Sequence, residues 1–358
     1  MAKGKNCLGL DIGSSSVKLC ELRSRRDTLH LETFDYVSLA PETIVDGELM
    51  NATEVSEAID TLLGRNKIRR EQTALSVSGN TVIIKKITLP MMTDEELEES
   101  IQWEAEQFIP FDIEDVFIGF EVLNRRNDQG QMDVVLVAAK KEMINDYVGV
   151  CHRVGLKPVV VDVDSFAVQN MYEVNYGFMP DETVNLLDMG SSVISMNVVR
   201  GGVTNFTRDL STGGADITEE IQRQLNITYR EAEIYKMGGT PAEARGEDVE
   251  GEVVPGEVEQ IIQQKAREMA DEIQESLNFY ATTAADSQVD RIVVTGGTAA
   301  IPSLRRTVQS TSGVDVELAN PFRKIETDTS EFSPDQLEEW APIAGVAVGL
   351  ALRRTNEK

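Results

Sequence analysis

Cysteine, histidine and aromatic side chains are scarce in this 358-residue chain: three Cys, two His and 6% aromatic residues. Cys7, Cys20 and Cys151 show no metal-ligand spacing, which excludes a zinc module and a disulfide framework and leaves reduced, buried thiols as the expectation. Positive charge is short as well. Only 34 Lys and Arg stand against 61 acids, a net charge of -27. A phosphate-rich surface such as nucleic acid or anionic lipid needs a basic footprint, so neither is expected as a partner. One small, locally shielded phosphate ligand is still compatible. Long apolar runs are absent too. The longest near the C-terminus, "IAGVAVGLAL" at 343–352, falls well short of the roughly 20 residues that span a bilayer. "MAKGKN" leads straight into a strand without a leader pattern. The expectation is a cytoplasmic chain with no direct membrane insertion, reaching a membrane only through a partner.

What is present is enough apolar sequence, 41%, for two domains with separate cores. Residues 7–37 alternate as a three-stranded meander. Val55, Ile59, Leu62 and Leu63 space a helix over 52–68, and "QTALSVSG" returns as a strand. Residues 81–160 follow with strand, helix, strand, strand, helix, strand, opened by a capping box at Thr93 and Glu96. "SFAVQNMYEVN" reads as a helix. From 184 the meander recurs, then come helices, an acidic loop at 240–258, a long helix, a strand with a Gly turn, and a terminal helix broken near Pro342.

The recurrence carries the chemistry. "GLDIGSSSVKL" and "LLDMGSSVISM" are each a strand ending in Asp, a Gly turn, serines and a second strand. A tight turn lets backbone N–H groups and Ser hydroxyls converge on phosphate oxygens, and Gly admits the close approach. An Asp beside a phosphate makes sense if it faces Mg²⁺ through that ion's waters. Lys18, on the returning strand, can balance the terminal phosphates. "VTGGTAA" places a third Gly turn between strand and helix, suited to a base and an α-phosphate. "LSTGGAD" is a fourth. No Walker A pattern occurs. Alone, each piece is an ordinary turn, and Glu233 with Lys236 is an ordinary i,i+3 pair. Their order along the chain is what argues for a site.

That order resembles the actin-like ATPase superfamily, and within it the PilM family of type IV pilus assembly proteins, with FtsA next. "QWEAEQFIPFDIEDV", "VVDVDSFAVQNMY" and "STGGADITEEI" carry the closer likeness. The resemblance implies an α/β fold of two duplicated halves around a nucleotide cleft. Residues 1–183 would form the first half, with an inserted α+β subdomain at about 81–160. Residues 184–340 would form the second, with a helical subdomain at about 215–280, and 341–358 would return to the first half. Small residues at Ala344, Gly345 and Gly349 would let two connecting helices cross closely.

The same resemblance assigns roles. Asp11 and Asp188 would position Mg²⁺ and its waters. Gly13, Ser14, Ser15, Ser16 and Lys18 would hold the terminal phosphates of ATP, met from the other side by Gly190, Ser191 and Ser192. Gly213 and Gly214 would join the nucleotide-binding set. Glu233 and Lys236 would lie around ribose and adenine, and Gly296, Gly297 and Thr298 along the base and α-phosphate. Asp164 stands either as an orienter of attacking water or as the N-cap of its helix. The implied function is an ATP-binding assembly scaffold with slow turnover at most. It would sit at the inner membrane by holding the N-terminal cytoplasmic peptide of PilN and by contact with other platform proteins; an oligomer is compatible with this. Two rivals share the fold: a small-molecule kinase acting on a sugar or acetate-type substrate, and an FtsA-like polymerising adaptor. The second needs an amphipathic terminal membrane helix, and "LALRRTNEK" leaves no room for one.

Overall fold

The computed structural model describes residues 5–26, 28–240, 254–283 and 288–355. The chain opens with the antiparallel strands β1 (Leu8–Ile12), β2 (Ser16–Arg25) and β3 (Thr28–Ser38). A short hairpin, β4 (Ile44–Val45) and β5 (Glu48–Leu49), precedes α1 (Ala52–Arg65). The Asn51 side chain caps α1 by accepting the Glu54 N–H, and Val55, Ala58, Ile59 and Leu62 bury one stripe of it. Strand β6 (Gln72–Val77) then pairs parallel to β1. Every residue of β1 is buried, as a strand covered on both faces must be.

The insertion begins with β7 (Val82–Leu89), α2 (Asp94–Glu106), β8 (Val116–Asn124) and β9 (Met132–Lys140). Thr93 and Glu96 form the capping box read from the sequence. These strands make a separate sheet, β7-β9-β8, over their own core of residues such as Ile87, Leu97, Ile101 and Leu136. The next two elements differ from the sequence reading. Helix α3 (Lys141–Arg153) buries Met143, Tyr147 and Val150 against Val55, Ile59 and Leu62, in the first half's own core. Strand β10 (Lys157–Val163) pairs parallel to β6, completing the first sheet in the order β10-β6-β1-β2-β3. Strand-and-helix counting could not separate the two sheets, because pairing partners are not written in local periodicity. Helix α4 (Asp164–Asn175) follows.

The second half repeats the plan. Strands β11 (Thr183–Met189), β12 (Ile194–Arg200) and β13 (Val203–Leu210) form a meander. Helices α5 (Gly214–Leu225), α6 (Tyr229–Lys236) and α7 (Gly256–Thr283) come next. The acidic loop expected at 240–258 lies largely outside the described residues, and Gly256 already opens α7. Strand β14 (Arg291–Thr295), α8 (Pro302–Ser312) and β15 (Asp315–Leu318) complete the sheet β13-β12-β11-β14-β15. In both sheets an antiparallel meander is extended by two parallel strands, in the same spatial order.

The chain ends with α9 (Pro334–Trp340), a 3-10 turn at Ala341–Ile343, and α10 (Gly345–Leu352). The break at Pro342 has a docking role: its carbonyl accepts from the Gly296 N–H at 2.6 Å and from Thr295 Oγ1 at 3.0 Å. Helices α4 and α10 cross between the two sheets, within a core that joins Cys20 of one half to Val184 and Leu186 of the other. The crossing is backbone-close. A Cβ on Gly349 would lie 1.8 Å from the Ala167 carbonyl oxygen, and one on Gly9 would lie 2.2 Å from that of Ala347.

Gly349→Ala is therefore expected to push the crossing helices apart and lower stability by ~1–3 kcal/mol, read as a fall in thermal midpoint. Gly64→Ala, in α1 with nothing within 4 Å of the added Cβ, should leave the midpoint level or raise it. Equal effects from the two substitutions would contradict the close crossing.

Candidate functional site

Each Asp-Gly-Ser turn is closed by one backbone hydrogen bond. The Gly13 N–H donates to the Ser16 carbonyl at 3.1 Å, and the Gly190 N–H to the Val193 carbonyl at 2.9 Å. Each Asp stands at the end of a central strand, with Asp11 opposite Lys18 and Asp188 opposite Ser195. The duplicated sheets bring the two turns face to face, close enough for Ser192 Oγ to donate to Ser14 Oγ at 2.9 Å. They border one cavity of about 850 Å³. Asp11, Gly13, Ser14, Ser15, Ser16 and Lys18 line one wall, and Asp188, Gly190, Ser191 and Ser192 the opposite one. Glu233 and Lys236 of α6, Asp164 of α4, and Gly296, Gly297 and Thr298 complete the lining.

The Gly turn after β14 is held in place by contact. Gly296 has φ +91°, and a Cβ there would lie 2.4 Å from the Met189 carbonyl oxygen and 2.6 Å from Asp188 Oδ1. Thr298 Oγ1 donates to the Gly190 carbonyl at 2.8 Å, tying this turn to the second phosphate-type turn. Gly213 and Gly214 fall differently from the sequence reading. They stand one layer behind the cavity wall rather than in it. The Gly214 N–H donates to the Gly190 carbonyl at 3.1 Å, and the Ala215 N–H to that of Ser191 at 2.8 Å. A Cβ on Gly213 would lie 2.3 Å from the Ser191 carbonyl oxygen. These glycines shape the turn that lines the site.

Asp164 is the first residue of α4, whose N-terminus has no side-chain cap. Its Oδ1 instead accepts from Ser76 Oγ at 2.5 Å, so of the two sequence readings the N-cap falls away. Lys236 is buried, and its ammonium donates to Glu233 Oε1 at 2.5 Å, Thr218 Oγ1 at 2.8 Å and the Gly214 carbonyl at 3.1 Å. Burial lowers its pKa, and the Glu233 carboxylate opposes that.

The cavity is short of positive charge. Burial pushes the Asp11 carboxyl above the usual range. Lys18 Nζ, 3.2 Å away, opposes the shift, and the Asp164 charge adds to it. Burial carries Asp188 up to about 8, with Asp164 and Asp11 adding and Lys18 opposing. Asp188 keeps part of its surface open to the cavity, and water there softens the penalty without changing its direction. Asp11, Asp164 and Asp188 thus act on one another, with Lys18 opposing them. A hydrated divalent cation answers that excess, and Asp11 and Asp188 are the residues that would hold it.

Sequence reasoning missed several lining residues: Ser76, Tyr147, Tyr229, Arg230 and Glu339. Tyr229 precedes Glu233 by one helical turn, and that spacing was the available signal. Burial pushes its hydroxyl up to about 12, with Glu233 adding. Ser76, Tyr147 and Glu339 come from β6, α3 and α9, and no local motif marks them.

The family described as type IV pilus assembly protein PilM matches residues 9–355. Among solved structures, a chain of a PilM–PilN type IV pilus biogenesis complex superposes with a TM-score of 0.85 at 29% identity, covering 99% of both chains. The ethanolamine utilization protein EutJ of Carboxydothermus hydrogenoformans shares the fold at a TM-score of 0.57 and 14% identity, over 97% of this chain and 89% of that one. The cell division protein FtsA of Streptococcus pneumoniae serotype 2 is 23% identical over 366 residues, spanning 90% of this chain and 77% of FtsA. The fold is the actin-like one that the paired turns led us to expect.

The raised Asp188 pKa sets a pH dependence. The folded protein keeps this proton up to about pH 8, whereas the unfolded chain releases it near the ordinary Asp value of 3.8. Between these limits the folded state binds more protons, so its stability falls as pH rises. Asp188→Asn removes that loss. Without metal or nucleotide, its thermal midpoint should match wild type near pH 4 and exceed it at pH 8 by at least ~1.4 kcal/mol, or about 2–4 °C. A wild-type midpoint that rises along with the variant's across this window would contradict the assignment.

Proposed function

Because the chain belongs to the family of the type IV pilus assembly protein PilM, we propose that it is an ATP-binding scaffold of the pilus inner-membrane platform. One observation carries the nucleotide half of this reading: the Asp11 and Asp188 turns, one from each half, border the same cavity with Ser14 and Ser192 in contact. Asp11 and Asp188 would hold the waters of Mg²⁺, and that ion, when bound, would supply the charge neutralisation the terminal phosphates require. Backbone N–H groups and hydroxyls of Ser14, Ser15, Ser16, Ser191 and Ser192 would hold the phosphates, with the Lys18 ammonium beside them. Glu233 and Lys236 border the ribose and adenine. Gly296, Gly297 and Thr298 leave a flat backbone surface for the base and α-phosphate. Asp164, which accepts a hydrogen bond from Ser76, would order a water. Phosphoryl transfer depends on positioning and charge, and such a site supports tight binding with slow turnover.

The partner half rests on the 29% identical chain solved in a PilM–PilN complex. The N-terminal cytoplasmic peptide of PilN is the proposed partner, together with other platform proteins. Among the described residues no helix is long and apolar enough to cross a membrane, which fits a peripheral place at the inner membrane, held there by PilN. Closure of the cleft on ATP would alter the surface offered to the peptide.

Calorimetric titration with ATP–Mg²⁺ and with that PilN peptide tests the reading. Wild type should bind both. Lys18→Ala should weaken ATP–Mg²⁺ at least tenfold, ~1.4 kcal/mol, and leave peptide binding to the nucleotide-free protein unchanged. A folded wild-type protein that takes up neither ligand would overturn the proposal.

A further inference from the structure

Strand β13 is an edge of the second sheet, and β7 is an edge of the inserted sheet. Edge strands carry unpaired backbone groups and are normally covered. Here side chains cover them. Thr207 and Asp209 alternate along β13 and share one face, Asn205 stands at the bulge where the β12–β13 register shifts, and Ser211 follows the end of the strand. Each one meets the first half. Asn205 Oδ1 accepts from Lys86 Nζ at 3.4 Å, and Thr207 Oγ1 donates to the Ile84 carbonyl at 3.3 Å. Asp209 Oδ2 accepts the Gly79 N–H at 3.0 Å, and Ser211 Oγ donates to Asn80 Oδ1 at 3.4 Å. Lys86 and Ile84 lie on β7, while Gly79 and Asn80 belong to the loop that enters it. The contacts run antiparallel, as a seam of side chains between the inserted module and the second half. Three of the four are long, which makes the seam releasable.

Asp209 is the member of the seam that also reaches the nucleotide cavity. Its carboxylate accepts from the Ser195 hydroxyl. Ser195 lines the cavity and stands directly across from Asp188 in the β11–β12 pairing. Gly79, on the other side of Asp209, lines the cavity too. Burial pushes the Asp209 carboxyl up, the bonds from Ser195 and Gly79 oppose this, and the Asp164 charge adds to it. Asp209 therefore feels the acid cluster as well as the seam.

We propose that Asp209 is a positioning residue that ties the cavity to the inserted module, so that closure of the two turns and docking of the module on β13 are one equilibrium. The proposal takes its ligand, ATP–Mg²⁺, from the function proposed above; the coupling itself is read without a ligand. Hydrogen exchange is followed in β7 and in the two turns, residues 13–16 and 190–193, of the full nucleotide-free chain. The double variant Asn205→Ala/Thr207→Ala alters only seam residues that do not line the cavity. It is expected to speed exchange at least about tenfold in β7 and also in both turns, with α8 unchanged as proof of an intact fold. Asp209→Ala should do the same. Asp209→Asn keeps an acceptor for the Gly79 N–H and should restore most of the protection. Faster exchange confined to β7 would make the seam a local contact and overturn the proposal, as would no change in either place. A parallel titration with ATP–Mg²⁺ should show the double variant binding about fivefold to tenfold more weakly. If wild type binds no ATP–Mg²⁺, the nucleotide reading fails, while the nucleotide-free exchange still decides the role of Asp209.

Discussion

Two carboxylates, Asp11 and Asp188, are forced to share one cavity, and the rest of the structure is arranged around that constraint. Like charges in a common enclosure repel, and burial makes each of them harder to ionise. Each Asp stands near the end of the central strand of its own sheet, so the packing of the two sheets sets the distance between the carboxylates. Lys18 offsets part of the charge. Protonation of Asp188 relieves the remainder, and a bound cation would take the place of that proton.

Holding the turns opposite each other requires backbone to approach backbone at several points. The Gly349 and Gly9 contacts bring α10 against α4 and β1. Gly213 and Gly214 anchor the second turn from behind, and Gly296 presses against Met189 and Asp188. These glycines lie on different elements but serve one purpose. Each removes a Cβ where two segments must touch for the cavity walls to keep their spacing. The C-terminal break at Pro342 belongs to the same scheme, since its carbonyl fixes the start of the Gly296 turn.

The inserted module is bound into this arrangement through a different kind of contact. Its core is its own, and the contacts of its edge strand with the second half are polar and mostly long. Apolar packing joins the two halves at the connecting helices, whereas the module meets the second half through polar contacts.

The sequence alone was sufficient for the duplicated plan and for the two Asp-Gly-Ser turns that face the cavity. Both depend on local chemistry: strand, acid, Gly turn and serines must be contiguous to make a phosphate-type turn, so they leave a readable motif. Tyr229 was legible in principle from its helical spacing to Glu233. The sequence could not say that α3 and β10 leave the insertion for the first half, because parallel partners are chosen by tertiary packing. Nor could it show Gly213 and Gly214 behind the wall, Ser76 on Asp164, or Asp209 between Ser195 and Gly79. Those contacts join residues far apart in the chain, and only the folding of two sheets against each other brings them within hydrogen-bonding distance.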